Sequence, residues 1–452
     1  MENYIYSQQH ARAGASLSLR LGGGDSCLPW RQSPDWRRAF YVVLCLITTL
    51  LATTTHAQVM SLDSVLLHVT RHPMLQEYDH NARAMLAYSE GATAWMAPMV
   101  GVGTFMTPYP GAKLDEMMGD RDKGSIMVSI EQSIPNTARL QARKDYLAAR
   151  ATIEQHGRAD QYNTLRAEAR ELYYRWIVDE KKIVVLRESE QILALLLKLA
   201  RIRYPYNQGS LGAIYEAESK YQEVQNQALT TQGDIAEKSY RLKALMNLPA
   251  TAPLAVDTTL VVAYTPVAAP DTTALGAQRS DLRQLNSSID AIRLNQRYQR
   301  LQARPDFKLR FDHMEPLGRD MPRQFTAMAM VSIPIAPWSS RMYTAEARGM
   351  HDEIQALQRT REARLLEARG MLGGLGARLA NLQQQMERYR AKILPALRHN
   401  YDARMLAYEE NREQLPMVVD SWEAWNMARL EYLEKTAEYY SLIVRYEKEL
   451  DQ

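Results

Sequence analysis

One stretch of the sequence, residues 137–204, constrains the fold more than any other. It has no proline and a single glycine, Gly157, and it is dominated by alanine, leucine, glutamate, glutamine, arginine and lysine. A continuous helix of this length would extend for ~100 Å, far beyond the helices of ordinary globular domains. Because such a helix needs partners to cover its apolar seams, the stretch predicts an elongated coiled-coil or helical-tube architecture.

Helical patterns recur through the rest of the chain. Residues 204–209 form a turn that contains proline and glycine, and a second helix is predicted from Leu211 to Met246. Residues 251–273 are rich in Thr, Val, Ala and Pro, which predicts a linker with a short strand at 260–262. Helix resumes over 275–301 and again over 339–407, where Gly373, Gly374 and Pro395 are expected to interrupt it. A last helix is predicted from Met417 to Leu450.

Two pairs of segments break the helical period and predict β-hairpins. Residues 307–312 and 325–333 alternate apolar and polar side chains on either side of a polar turn at 315–320. Residues 99–106 and 125–133 form a similar pair around the loop 107–124. Each strand has ~8 to 10 residues, the length of a tilted transmembrane strand. Four strands are too few to close a membrane barrel, so several copies of the chain must share one.

The order of elements occurs twice, which predicts an internal duplication. A shift of 204 aligns Tyr204 with Tyr408 and Asn207 with Asn411, and a shift of 202 pairs Pro135 with Pro337. We therefore divide the chain into four regions: an N-terminal extension with a signal peptide (1–57), a first structural repeat (58–250), a linker (251–274) and a second structural repeat (275–452).

The signal peptide is predicted from a basic pair, an apolar run and a small-residue cleavage site. Arg37 and Arg38 precede residues 40–51, and Ala57 ends the motif Thr-His-Ala, after which we expect cleavage. A membrane anchor is the alternative, but the run is short of the ~20 residues needed to span a bilayer. Both cysteines, Cys27 and Cys45, precede the cut, so the mature chain would have neither disulfides nor thiolate ligands.

Charge argues against a nucleic-acid partner. Removal of residues 1–57, which hold five arginines and three acidic residues, lowers the formal net charge from +3 to +1. A basic excess is the expected footprint of nucleic-acid binding, and the mature chain lacks one. No catalytic constellation and no cofactor motif can be placed in the sequence, so we predict that the protein is not an enzyme.

Several segments together resemble the TolC-like family of outer-membrane efflux proteins. They are Arg71-His72-Pro73, residues 206–211 (Tyr-Asn-Gln-Gly-Ser-Leu), residues 246–249 (Met-Asn-Leu-Pro), residues 279–282 (Arg-Ser-Asp-Leu), Ser332-Ile333-Pro334-Ile335 before Arg341, and residues 394–397 (Leu-Pro-Ala-Leu). The resemblance implies an outer-membrane homotrimer with a shared twelve-stranded β-barrel, a helical periplasmic tunnel, and docking to a periplasmic adaptor and an inner-membrane pump. His72 in place of asparagine, and Gln414-Leu415-Pro416 where glycine is usual, depart from the family pattern.

The same resemblance places the periplasmic end of the tunnel at the two turns between helices. Asp420 and Glu216 are the candidates for an entrance ring, since three inward carboxylates would attract cations. The alternative is that they are solvated acids near helix N-termini, where the dipole favours them. The candidate tip residues for adaptor docking are Asn207, Gly209, Leu211, Asn411 and Leu415.

Two features could suggest metal handling. Methionine is abundant, with 22 residues, and thioethers suit soft cations, although methionine is also a common filler of packed seams. His68 and His72 have the spacing of two zinc ligands on a helix, but no third ligand is evident nearby. We therefore predict no metal site.

The sequence leaves three functions open. The first is a passive outer-membrane exit duct of a tripartite efflux system for drugs or metal ions, in a Gram-negative bacterium. The second is the outer-membrane duct of a type I protein secretion system. A periplasmic coiled-coil scaffold, for which the hairpins would be incidental, is the alternative of another class.

Overall fold

A computed structural model of the chain describes residues 58–107, 124–262, 264, 272–318, 322–334 and 336–451. The described residues all belong to one compact unit, Ala57–Gln452. The predicted signal peptide, both cysteines, most of the loop of the first hairpin and residues 263 and 265–271 of the predicted linker lie outside the described residues.

Helices form most of the described structure. They are α1 (Leu62–Val69), α2 (Pro73–Gly91), α3 (Thr137–Arg203), α4 (Leu211–Leu245), α5 (Thr272–Gln278), α6 (Ser280–Arg300), α7 (Pro337–Arg388), α8 (Leu394–Glu409) and α9 (Leu415–Glu449). The strands are β1 (Gln58–Met60), β2 (Met99–Phe105), β3 (Ser125–Ile134), β4 (Leu254–Val256), β5 (Asp306–Pro316) and β6 (Gln324–Ser332). Short 3-10 turns follow α3 and α6, and a single π-helical segment, Tyr389–Ile393, joins α7 to α8.

The long helix predicted from the proline-free stretch is confirmed as α3, which has 67 residues. The helix begins where the Asn136 side chain accepts hydrogen bonds from the backbone N–H groups of Ala138 and Arg139, at 3.1 and 3.4 Å. Along its length α3 packs against α2, α4, α6 and α9. It is therefore the axis on which the other helices are arranged.

A first core surrounds the middle of α3, where that helix meets α1, α9 and the parallel pair β1–β4. Tyr173 is its centre: the hydroxyl donates to the Met60 carbonyl at 2.9 Å and accepts from the Asp257 N–H at 3.0 Å. The buried tyrosine thus holds both short strands through its polar end, as a buried hydroxyl must find partners.

The prediction of a strand at 260–262 is wrong, because the strand in this region is Leu254–Val256. Leu254 and Val256 are buried, and β1 lies beside them as a parallel partner. The strand ends at Val256, and the carboxylate of the next residue, Asp257, accepts from the N–H and the hydroxyl of Thr259 and so turns the chain. Tertiary pairing with a distant segment, rather than local β propensity, decides the position.

A second core lies toward the end of α3, between α3, α4, α8 and α9. It contains one fully buried polar pair, in which the Ser189 hydroxyl donates to the Asn426 side-chain oxygen at 2.7 Å. A buried pair of this kind is satisfied at one axial position only, so it fixes the register of α3 against α9.

Both predicted hairpins are confirmed, and they join in one antiparallel sheet of order β2-β3-β5-β6. One face of the sheet is mostly apolar and mostly exposed: Val100, Val102, Ile126, Val128, Ile130, Phe307, Leu309, Phe311, Phe325 and Val331. Gln132, His313 and Glu315 lie on the same face. The other face carries charge pairs, Lys308 with Glu131 at 3.0 Å and Arg310 with Asp312 at 2.8 Å. The sheet is therefore two-faced, with its apolar side uncovered in the single chain.

Three helical expectations need correction: the single helix over 275–301, the interruption at Gly373-Gly374 and the interruption at Pro395. The helix predicted over 275–301 is two helices that break at Arg279, where the backbone is extended. The N-terminus of α6 is capped from the other end of the chain, since the Asp451 carboxylate accepts from the Ser280 N–H at 2.8 Å. Gly373 and Gly374 do not interrupt α7, because a helical glycine costs only about 1 kcal/mol relative to alanine.

Pro395 acts on the segment before it rather than ending the helix. The π-helical segment Tyr389–Ile393 occupies the turn against which the proline ring would otherwise press. A wider turn there lets α7 and α8 follow one another without a break. Among the described residues, no helix combines the length and the hydropathy needed to cross a membrane.

Gly157 supplies a test of the packing along α3. A Cβ at this position would lie 2.7 Å from Gln284 Nε2 and 2.9 Å from a ring carbon of Tyr78. We expect Gly157→Ala to lower the free energy of unfolding by about 1 to 2 kcal/mol, since overpacking outweighs the gain in helix propensity. Denaturant titration in detergent, followed by far-UV circular dichroism, measures it.

The matched control is Gly233→Ala in α4, where a Cβ would meet nothing within 4 Å. That variant should gain up to ~1 kcal/mol from helix propensity alone. Equal gains in both variants would contradict the close approach of three helices at Gly157.

Asp160 supplies a pH test. Burial, and then the carboxylates of Asp281 and Asp451, raise the pKa of this carboxyl in the folded state. A raised folded-state pKa stabilises the fold below the unfolded pKa, and that contribution is lost as pH rises through the folded value. Asp160→Asn should therefore raise the melting temperature at neutral pH, with a difference that shrinks toward about pH 4. Asp234→Asn, at an exposed position of α4, should show no such trend.

Candidate functional site

The two predicted helix turns lie side by side at one end of the helices. The first joins α3 to α4 and the second joins α8 to α9, and together they line a cleft of about 420 Å³. Its lining residues are Arg203, Asn207, Gln208, Gly209, Ser210, Ala213, Asn411, Glu413, Gln414, Leu415 and Pro416. The cleft brings together residues from both halves of the chain.

The two turns have the same backbone geometry. Asn207 and Asn411 adopt left-handed φ angles of 61° and 58°, and their N–H groups donate to Tyr204 and Tyr408 carbonyls at 3.1 and 3.0 Å. Asparagine tolerates this conformation better than other side chains. Each asparagine therefore ends its helix as a C-terminal cap.

The second turn keeps this geometry without the glycine of the first. Ser210 and Gln414 precede their helices with nearly equal backbone angles, φ −100° in both and ψ 147° and 153°. Ser210 caps α4 by accepting from the Ala213 N–H. In α9 Pro416 has no N–H to satisfy, which suits the first turn of a helix. The departure from the family pattern therefore leaves the turn geometry unchanged. At the other departure His72 replaces asparagine as the cap of α2, since its Nδ1 accepts from the Met74 N–H at 3.3 Å.

Arg203 connects the two turns. Its guanidinium donates to the Tyr408 carbonyl at 2.5 Å and to the Glu409 carbonyl at 3.1 Å, and it lies 4.3 Å from the centre of the Tyr408 ring. The end of α8 thus receives two hydrogen bonds and a cation–π contact from the last residue of α3. This link crosses from one half of the chain to the other.

The sequence did not single out Arg203 or its contact with Tyr408. The signals that could have found them were a basic residue in the last turn of a helix and a tyrosine at equivalent positions of both turns. Neither signal shows that the two ends lie within reach of each other.

Four of the five candidate tip residues, Asn207, Gly209, Leu211 and Asn411, are exposed at the turns. Leu415 differs, because its side chain is 5% exposed and belongs to the second core. In the single chain Leu415 therefore anchors the second turn, and the other four are accessible at its surface.

Asp420 and Glu216 occupy equivalent positions, each the sixth residue of its helix, and both are exposed. Neither forms an ion pair with another described residue. They lie beyond the first helical turn, where the dipole no longer favours an acid strongly. One turn further on, Lys220 of α4 bonds Glu423 of α9 at 2.8 Å, which raises the pKa of the lysine and ties the two helices together.

No group of three or more histidine, cysteine, aspartate or glutamate side chains within the described ranges could hold a metal ion.

Arg203→Ala tests the link between the turns. The substitution leaves two helix-terminal carbonyls without their donor, so local opening of the second turn should become easier by about 1 to 3 kcal/mol. We expect hydrogen–deuterium exchange at the amides of residues 409–413 to accelerate by roughly tenfold or more.

Arg201→Ala is the control, because Arg201 bonds only the exposed Glu218 at 2.7 Å. Exchange at the second turn should stay within about twofold of the unsubstituted protein in that variant. Arg203→Lys keeps the charge but loses the paired donors of the guanidinium. Its exchange rate at the second turn should lie between those of the two alanine variants. Equal exchange in all variants would show that Arg203 does not hold the turns together.

Solved structures with the same architecture come from the bacterial outer membrane. The outer-membrane channel OprN matches with a TM-score of 0.72 at 14% identity, over 86% of this chain and 89% of its own. The outer-membrane protein VceC of Vibrio cholerae matches with a TM-score of 0.67 at 11% identity, over 86% of this chain and 96% of its own. The open-state channel MtrE of Neisseria gonorrhoeae matches with a TM-score of 0.67 at 12% identity, over 86% of this chain and 88% of its own.

No protein-family model and no curated protein sequence matches the chain. At identities this low the likeness to solved structures establishes the fold and not the activity. The chain has the fold of the TolC-like outer-membrane channels.

Proposed function

We propose that the protein is the outer-membrane exit duct of a tripartite efflux system, through which small solutes such as drugs or metal ions leave the periplasm passively. The observation that carries the proposal is a two-faced sheet at one end of helices ~100 Å long, with the two turns at the other end. Such a molecule can be inserted in a membrane at the sheet end and can contact a partner at the distant end that carries the turns.

The sheet has the surface of a membrane-inserted structure. Its exposed apolar face suits lipid, and its polar face, with the pairs Lys308–Glu131 and Arg310–Asp312, suits water. Trp95 and Trp338 are 57% and 83% exposed, whereas Trp176, Trp422 and Trp425 are buried. Both exposed tryptophans flank the end of the sheet that meets the helices. Tryptophan favours the level of the lipid headgroups, which supports our proposal that this end is the periplasmic membrane boundary.

The single chain is incomplete as a channel. β2 and β6 are the edges of the sheet, and unpaired strand edges are not tolerated in lipid. In α7 five of 52 residues are buried, against 21 of 67 in α3. Three copies would supply a twelve-stranded barrel and would cover the exposed surface of α7. The two structural repeats, 58–250 and 275–452 with the linker 251–274 between them, would each contribute one hairpin per copy.

The two turns are the part that would meet the partners. In a trimer the long helices surround a periplasmic tunnel, and Asn207, Gly209, Leu211 and Asn411 lie exposed at its far end. An adaptor in the periplasm would dock there, and an inner-membrane pump would supply the energy. Asp420 and Glu216 would each form a ring of three carboxylates at the entrance.

Deletion of the gene tests the function. We expect greater susceptibility to a subset of drugs or metal salts in a toxicity screen, restored by the gene in trans, and the protein in the outer-membrane fraction as an oligomer. Recovery as a soluble protein, or as a monomer in detergent, would contradict the channel and favour a periplasmic scaffold. Loss of a secreted polypeptide with unchanged susceptibility would favour a type I secretion duct.

The entrance ring has its own test in planar bilayers. Asp420→Asn should lower the cation-to-anion permeability ratio by about two- to fivefold, because three charges leave the narrow entrance together. Glu216→Gln should act in the same direction. Asp234→Asn removes the same charge from an exposed position of α4 and serves as the control. An unchanged ratio in both entrance variants would show that neither carboxylate faces the pore.

A further inference from the structure

We propose that Met127 and Met314 form a two-thioether site for a soft monovalent cation, Ag(I) or Cu(I), on the polar face of the sheet. The inference rests on the proposed function, since it takes this face as the lining of the channel, and it names one class of cargo. Only the pairing of β3 with β5 brings the two side chains together. The number of methionines in the sequence therefore could not place the site.

The methionines of the sheet are confined to one of its two faces. The four strands contain five of them, and all lie on the face that carries the charge pairs: Met99, Met127, Met314, Met328 and Met330. Every valine, isoleucine and leucine of the same strands lies on the opposite, mostly apolar face. Methionine used only as an apolar filler would be expected among those residues. The separation indicates that the sulfur atom matters here, and not only the apolar bulk of the side chain.

Met127 and Met314 are direct cross-strand partners. The Cβ atoms of opposed residues in an antiparallel pair lie about 4.5 to 5.5 Å apart, so two side chains as long and flexible as methionine can bring both sulfur atoms to one ion. Met314 is 8% exposed and Met127 is partly buried. Water therefore has limited access to the two thioethers and competes less for the ion.

The surroundings of the pair leave room for an ion. Gly103 lies opposite Met127 on the side away from Met314, and a Cβ at Gly103 would meet nothing within 4 Å. Along β5, Asp312 stands between Met314 and Arg310, and its carboxylate pairs with that arginine at 2.8 Å. Because this ion pair is internally neutral, it places no net positive charge beside the thioethers.

Thioether sulfur is a soft and neutral ligand, which suits soft cations such as Cu(I) and Ag(I) better than hard ones. Thiolate, imidazole and carboxylate ligands must lose a proton before they bind a metal, whereas a thioether has none to lose. Binding to the pair should therefore not change over the pH range in which histidine titrates. Two neutral ligands also release an ion readily, as passage through a duct requires.

The other three methionines continue the same chemistry toward the helices. Met99 and Met328 lie in one cross-strand row, and Met330 lies in the next row toward the helical end of the sheet. Their side chains are 58%, 40% and 36% exposed. Soft ligands thus stand at three levels along the polar face, with the partly enclosed pair Met127–Met314 furthest from the helices.

Silver binding to the purified protein tests the site. The parent is the full chain with Cys27→Ser and Cys45→Ser, which has no thiol, purified in detergent and dialysed to equilibrium against silver nitrate in chloride-free buffer. The double variant Met127→Leu with Met314→Leu should bind about one Ag(I) fewer per chain, because leucine keeps the side-chain volume but has no sulfur. X-ray absorption at the silver edge should show sulfur neighbours in the parent that the double variant lacks.

Met427→Leu is the matched control, because Met427 lies on α9 and is 62% exposed. It should bind as much silver as the parent. The difference between parent and double variant should be the same at about pH 5 and about pH 8, whereas silver held by a histidine such as His313 would be lost at the lower pH. If the double variant does not fold, Met127→Leu alone serves for the same comparison.

Three results would overturn the proposal. They are equal binding in the parent and the double variant, a loss that Met427→Leu reproduces, and a difference that disappears at about pH 5.

Export is scored separately from binding. In a deletion strain that carries the double variant, tolerance of silver salts should fall toward that of the deletion strain, while tolerance of drugs stays at the level given by the parent. Silver tolerance equal to that given by the parent would show that the pair has no part in transit and would overturn the proposed cargo. If silver binds as expected but deletion changes susceptibility to no drug or metal salt, the efflux function alone is contradicted.

Discussion

A helix as long as α3 is stable in water only when other helices cover its apolar seams, and the rest of the described structure follows from that requirement. Two cores form along it, one shared with α1, β1, β4 and α9 and the other with α4, α8 and α9. Polar groups then fix α9 and α4 at one axial position against α3. Ser189 meets Asn426 of α9, and the buried Asp179 carboxylate pairs with Lys182 on its own helix and with Lys238 of α4 at 2.9 Å. Removing one partner of such a buried group leaves an unsatisfied charge or dipole, so helices cannot slide past one another without a large penalty.

The features that sequence predicted well are those with a strong local period. The proline-free stretch is α3, the alternating segments are β2, β3, β5 and β6, and both turns fall where proline, glycine or asparagine stand. The features it missed depend on partners far along the chain. The strand at Leu254–Val256 needs β1 as its partner. The break at Arg279 needs Glu449, which bonds the arginine, and Asp451, which caps α6. No window of local sequence contains both members of these pairs, so pattern reasoning places them wrongly or not at all.

The candidate site shows the same division. The exposed positions of Asn207, Gly209, Leu211 and Asn411 follow from the turn residues themselves, whereas Leu415 stands at a predicted tip and is buried in the second core. Its burial follows from the packing of α9 against α3 and α4, because the first apolar residue of α9 faces inward as the helix leaves the turn. The contact of Arg203 with Tyr408 likewise required the two turns to be adjacent. Matching residues at the two turns predict equal local geometry, and they do not predict which residues form contacts between the two halves of the chain.

One helix also sets the distance between the two ends of the molecule. At the sheet end, Arg139 in the first turn of α3 makes a bidentate pair with Asp306 at the start of β5, at 3.1 and 2.8 Å. At the other end, Arg203 closes α3 against the end of α8. Both contacts join the first half of the chain to the second, and the rigid helix between them spans ~100 Å. The separation between the two-faced sheet and the paired turns is thus fixed by the length of α3 rather than by any flexible connection. A partner that binds the turns therefore meets them at a set distance and orientation from the sheet.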